Sequence, residues 1–283
     1  YANSLNGFES IKSEGDIPFD LNLGSNNFGQ FFEQVPIDYK ASAYLRSMFF
    51  LSPYVSELDS IRGDVSIDLS LSGNAKSIIR NGNISISNSS VFTTLLDNPI
   101  ISVDGSAFLK KNELVIGYMN GASVDNNYKK SNEDHDNIMI SGSIDFSKFF
   151  EPDYNIIVNS INNKNIYIEA MPIDLVGVVD SINVKVFGKD TVNITGLVEV
   201  ADMTLFHEFI SEDVGERLVT NDGIIMSYSI NVPIKNEGRF QNSQVDAIMV
   251  GEISLSKTGN DFWNIGGEVF IDDGSILSFK DNF

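Results

Sequence analysis

The chain has 283 residues, 42% hydrophobic and 20% charged, which supplies enough apolar material for a large buried surface and rules out a disordered chain. Its 19 Lys and Arg against 39 Asp and Glu give a formal charge of −20, which repels phosphate backbones and anionic membrane surfaces, so nucleic acid is not an expected partner. There is no cysteine, which excludes disulfides and thiolate metal sites and leaves the protein indifferent to the redox state of its compartment.

Period-2 alternation dominates the chain from its start. IPFDLNL at 17–23 reads as a strand. NNFGQFFEQV at 26–35 then reads as one or two helical turns. Residues 41–62 carry apolar side chains at helix-like spacings, with Tyr44, Leu45, Met48 and Phe49 on one side. They predict a helical insertion, kinked or broken at Pro53, that would serve as a plug or side cover. VSIDLSL at 65–71 alternates strictly, giving a strand with one apolar and one polar face. NISIS at 83–87 follows, and the polar run at 126–137 reads as a loop. Further strands are predicted at 138–146, 155–160, 165–170, 182–188 and 192–200, a third helix near 205–218, and strands at 224–232, 245–255 and 265–279. No apolar run reaches the ~18 to 20 residues of a membrane-spanning helix. The chain opens on Tyr1 with no charged-then-apolar leader, and Phe283 falls within an alternating pattern. A single continuous β segment, 1–283, excerpted from a longer chain, is the expectation.

One motif recurs at unequal steps. GNISISNSSVF (82–92), GLVEVADMTLF (196–206) and GEVFIDDGSIL (267–277) each begin with Gly, place Ile or Val at the third and fifth positions and Asn or Asp at the seventh. The reading is a short strand, an Asx-seeded turn, then the next strand. GSIDFSK at 142–148 and GEISLSK at 251–257 are looser relatives. Alternating strands precede it twice, as VSIDLSLSG and INVKVFGKDTVNITG. This succession resembles the C-terminal region of TamB-like proteins of the AsmA-like group, and WNIGGEVFIDDGSILSF at 263–279 is similar to that family's end section.

The resemblance implies an all-β fold: a long, strongly curved sheet folded like a taco, apolar inside and hydrophilic outside, with one or two short helices. It further implies a periplasmic location, bridging the inner and outer membranes of a diderm bacterium. The function implied is phospholipid carriage along the groove, with a link to outer-membrane barrel assembly and a barrel partner of the Omp85 type. A lipid conduit must shield acyl chains at about 0.8 kcal/mol per CH₂. The residues suited to such a lining are Val65, Ile67, Leu69, Leu71, Ile84, Ile86, Ile138, Ile140, Ile144, Phe146, Val184, Val186, Ile194, Val198, Val200, Ile253, Leu255, Val269 and Ile271. Some twenty strands at ~4.8 Å would extend on the order of 100 Å. The competing reading is a conventional β-sandwich in which the same residues fill the interior.

Chemistry-bearing motifs are sparse, and the expectation is a non-enzymatic protein with no cofactor or metal. His135 and His207 stand 72 positions apart without metal-ligand spacing, and EDHD at 133–136 lacks the ligand order and glycine of a calcium loop. No nucleophile elbow, phosphate loop or dinucleotide fingerprint occurs, and no pair of carboxylates is singled out for glycoside hydrolysis. NIS, NSS and NIT at 83–85, 88–90 and 193–195 match the glycosylation pattern but suit the polar face of strands. Trp263, the sole tryptophan, reads as a core or edge anchor. Besides lipid carriage, two functions remain in view: a scaffold for barrel assembly acting by strand addition at 263–279, and a carbohydrate-binding sandwich.

Overall fold

The computed structural model describes residues 8–16, 18, 35–48, 58–74, 76–124, 136–147, 151–161, 164–206, 225–259, 261–271, 273 and 275–277. They form β1 (Phe8–Asp16), β2 (Ile37–Ser47), β3 (Leu58–Asn74), β4 (Ser77–Thr93), β5 (Ile100–Lys110), β6 (Glu113–Ala122) and β7 (Ile138–Asp145). β8 (Asp153–Ser160), β9 (Ile166–Ala170), β10 (Leu175–Gly188), β11 (Thr191–Phe206) and β12 (Ile225–Gln241) follow, then β13 (Val245–Thr258), β14 (Asn264–Ile271) and β15 (Ile276–Leu277). A single 3₁₀ turn, Met171–Ile173, is the helical element among the described residues.

All fifteen strands belong to one sheet, whose hydrogen-bonded path runs from β1 to β8, then β10 to β14, with β9 joined to β10 and β15 to β13. Every neighbouring pair is antiparallel except β11 and β12, which are parallel. The fold is therefore an all-β sheet. Among the described residues no second sheet faces it, unlike the two-sheet sandwich of the competing reading. Twelve steps of about 4.8 Å separate the thirteen strands of the path, so the sheet extends about 60 Å rather than 100 Å.

The sheet curls toward one face for reasons visible in its backbone. Mid-strand glycines occupy that face: Gly82, Gly105, Gly142, Gly196 and Gly251 each pair with apolar residues of the same side. At Gly142, where φ is +127°, a Cβ would lie 2.1 Å from the Asn155 carbonyl oxygen. At Gly196 it would lie 2.2 Å from that of Asn183. Such close approach requires glycine and lets neighbouring strands crowd together on the inner side of a bend. Bulges add to this, because an extra residue bends a strand and increases its twist.

In its first two copies the recurrent Gly-led motif is one of these bulges, not a turn. At 82–92 it lies within the continuous 17-residue β4, with Asn88 at φ 46° and the register against β5 shifting between Ile86 and Ser89. At 196–206 it lies within β11, with a shift between Val200 and Asp202 against both neighbours. At 267–277 it runs from β14 through a turn at Asp273 to β15, the strand–turn–strand order expected, with both strands laid end to end on β13.

Two further expectations are corrected. The helical insertion at 41–62 is strand over its described residues other than Met48: 41–47 belong to β2 and 58–62 to β3. The inward set of β2 is Ile37, Tyr39, Ala41, Ala43 and Leu45, paired with Gly73, Leu71, Leu69, Ile67 and Val65. Its small alanines hide the alternation, and a bulge between Leu45 and Ser47 brings Met48 inward, which mimics a helical spacing. β5 and β6, absent from the sequence reading, form a hairpin through Lys111 at φ 60°. Bulges near Asp104 and Ile116 break their period-2 pattern. The predicted strand at 17–23, helix at 26–35, loop at 126–137 and helix at 205–218 lie wholly or mostly outside the described residues, although Leu205 and Phe206 end β11.

Candidate functional site

The apolar residues of successive strands fall into register on the inner face. One row joins Leu45, Val65, Ile86, Gly105, Met119, Ile140, Val158, Val184, Gly196, Ile230, Leu255 and Ile265, each paired with the next across twelve strands. A second joins Ala43, Ile67, Ile84, Ala107, Ile116, Gly142, Ile156, Val186, Ile194 and Tyr228. Because paired residues share a side of the sheet, a register fixed by burial makes these rows continuously apolar or glycine, with Arg80 and Lys257 on the same side beyond them.

The expected lining residues are brought together on this face. Leu69 stands opposite Gly82, Leu71 opposite Arg80, Ile144 opposite Leu114, and Ile138 two positions before Ile140. Val198 pairs with Ile182, Ile253 with Val232, and Val200 with Ile234. Val269 and Ile271 hold the same side of β14, opposite Gly251 and Met249, but are 41% and 62% exposed. Phe146 lies one residue past β7, its N–H donating to the Asn112 carbonyl.

Two contiguous clusters make up the buried part. One centres on Leu45, Val65, Ile86 and Val103. The other runs from Ile138 and Ile166 through Val179, Val200 and Met203 to Ile253. Ile100 packs against both. Burial also raises the Tyr154 phenol above its ordinary value; the ring shares a row with Ile144.

Sequence reading missed how this face is partly covered. β9 pairs with the first half of β10, while β8 pairs with the second half. Along its other edge, β9 meets the ends of β6 and the β4–β5 link in turn. The Tyr167 N–H donates to the Ser123 carbonyl at 3.2 Å, Asp97 N–H to Glu169 at 2.9 Å, and Met171 N–H to Leu95 at 3.2 Å. Three buried polar side chains complete the lacing. Asn98 donates to Ser123 Oγ at 2.6 Å and accepts from the Glu169 N–H at 3.0 Å. Ser123 Oγ donates to the Tyr167 carbonyl. Asn137 donates to the carbonyls of Ser123 and Asn165, both at 2.9 Å. The link is thereby fixed over the inner face, in the covering role expected of a helix at 41–62.

Beneath the link lies a cavity of about 400 Å³, lined by Leu95 and Leu96 from above and by Val158, Ile182, Val184, Val186, Ile194, Val198, Ile230 and Leu255 from the sheet. Tyr228 and Trp263, ring centroids 5.1 Å apart, close one side. Val184, Val186, Ile194, Val198 and Leu255 were all marked by alternation alone.

The outer face carries Ser66, Ser85 and Ser106 in one row and Asn83, Ser143, Asn155 and Asn193 in another. It is not uniformly hydrophilic, since Phe108 and Tyr118 are more than half exposed there and Val115 pairs with Phe108. Its ion pairs are peripheral. Lys235 and Ser181 hold the Glu199 carboxyl below its ordinary range, and Arg239, at 2.5 and 2.6 Å, does the same for Asp246. Among the described residues, no group of three or more His, Asp or Glu side chains is placed to hold a metal. No helix there is long and apolar enough to cross a membrane. No protein-family model, curated protein or solved structure matches the chain.

Proposed function

We infer that this chain is a non-enzymatic lipid-carrying segment of a TamB-like or AsmA-like protein. In this reading its inner face shields phospholipid acyl chains between the inner and outer membranes of a diderm bacterium. The observation that supports it most is the unbroken inner row from Leu45 to Ile265, apolar or glycine at every step, on a sheet that no second sheet faces among the described residues. A protein that only needed a core would bury this face completely, since exposed apolar area is unfavourable at roughly 25 cal/mol per Å², whereas Leu69, Val269 and Ile271 stay 38%, 41% and 62% exposed on it. The charge of −20 suits a body that stays off anionic headgroup surfaces while its groove holds the chains.

The test is native mass spectrometry of the purified protein, followed by a transfer assay between donor and acceptor vesicles. Copurifying phospholipid and measurable transfer are expected. Ile67→Asp and Ile140→Asp, which place charge in the two rows, should reduce transfer at least about tenfold by costing a buried charge its solvation.

A second reading has its own observation. β14 is the last strand of the path, and Val269, Phe270 and Ile271 are 41%, 62% and 62% exposed on it. An apolar edge of this kind is a template for strand addition, the mode by which a scaffold for barrel assembly would act. The two inner-face aspartates distinguish the readings, since an edge-pairing role survives them if the fold does.

A further inference from the structure

We propose that the cavity under the β4–β5 link is a discrete site for one alkyl chain bearing an anionic head, with the head against Lys257. This deepens the lipid-carrying reading and rests on it. The volume of about 400 Å³ lies near the lower end of ordinary small-ligand pockets, roughly 300 to 1,000 Å³, and suits one chain rather than two. Every side chain around it, from Leu95 and Leu96 to Ile230 and Leu255, is apolar or aromatic apart from Thr93, so a polar head has no place inside. It must lie at the mouth.

Next to the Tyr228 and Trp263 side of the cavity the register places a cation. Lys257 is paired with Tyr228, the last member of the second inner row, and its Nζ stands 5.6 Å from the Trp263 ring centroid. Its neighbours on the strand are inward Leu255 and outward Ser256, and its partner on β12 is Tyr228 rather than an acidic residue. In a protein of net charge −20 an anionic head is repelled except where a cation is held locally, and an ammonium beside the Trp263 ring that lines the apolar cavity meets that need. Arg80, the cation opposite Leu71, is engaged with Asn112 instead. Carboxylate and phosphate heads share this chemistry, so a fatty acid and a lysophospholipid are its two sources.

Trp263 is the sole tryptophan and lines the cavity, so its emission reports occupancy directly. The full chain, delipidated, is titrated with 9,10-dibromostearate, whose bromines quench tryptophan on contact. Saturable quenching at one equivalent per chain is expected. Hexadecanoate and palmitoyl-lysophosphatidylglycerol are then run as competitors, the stronger identifying the head, with uncharged hexadecanol at least about tenfold weaker. Lys257→Met should abolish that charge preference, and Ile230→Phe or Val198→Phe, which fill the cavity, should abolish quenching at an unchanged urea midpoint. Absence of quenching, a stoichiometry of two or more, or quenching undiminished in whichever filled variant folds overturns the proposal. Phospholipid found by native mass spectrometry in the undelipidated protein leaves the wider lipid reading standing in that case; its absence removes both.

Discussion

At the residue scale, the two faces of the sheet differ in what a side chain is worth. Leu45 is fully buried and touches the cluster around Val65 and Ile86, so Leu45→Ala should destabilise by about 2–5 kcal/mol in urea denaturation. Phe108, 51% exposed on the outer side, should change stability by no more than about 0.5 kcal/mol when replaced by Ala. Asn98 has a different role, because its amide satisfies groups on both β9 and Ser123. Asn98→Ala leaves the Glu169 N–H unpaired and should cost about 1–3 kcal/mol, with loosening of the link read by hydrogen exchange at Asp97 and Met171. On the surface, Arg239 keeps the folded Asp246 carboxyl depressed. Its contribution is full above the ordinary unfolded value and is lost as pH falls through the lower folded one. The stability difference between the protein and Asp246→Asn should therefore shrink in acid and vanish below that folded value. The candidate lining was legible at this scale because inward positions such as Val65, Ile67, Val184 and Val186 alternate with Ser, Asp, Asn or Lys.

Elements were legible only where no bulge intervened. The strict alternation of 65–71 reads correctly as strand, but the strand is 17 residues long, because the bulge near Gly63 resets its parity and masks the first part. The same cause hid β5 and β6, whereas in β2 the small inward Ala41 and Ala43 gave no apolar signal and left Tyr44, Leu45 and Met48 to imitate a helix. Tyr44 in fact points the other way and donates to the Asp64 carboxylate. The Gly-led motif was recognised as repeated but misread as a turn in its first two copies, since an Asx residue such as Asn88, at φ 46°, serves a bulge as readily. Glycine at the bend is a requirement of the backbone. Gly142→Val should destabilise by at least about 2 kcal/mol, by strain at φ +127° and collision with Asn155. Gly266→Ala, whose Cβ would meet the movable Ser254 hydroxyl at 3.0 Å, should be tolerated in the same urea series.

For the whole molecule, the long-range arrangement was beyond sequence reading. The parallel pairing of β11 with β12, and the lacing of β9 across the ends of other strands, bring together residues such as Asn98 and Glu169 that no local pattern connects. What alternation did convey is that one face would be apolar throughout, and the register turns this into a continuous inner surface, part covered by the link and part open. Leu69, 38% exposed, marks the open part; Ile230, beneath the link, marks the covered part. The central claim is that this surface holds acyl chains. A photo-crosslinking amino acid placed singly at Leu69, at Ile230 and at outward-facing Phe108 in the protein as expressed, followed by mass analysis of the adducts, tests it most directly. Phospholipid adducts at Leu69 and Ile230 with none above background at Phe108 are the predicted result, and adducts absent from the inner positions, or equal at all three, would contradict it.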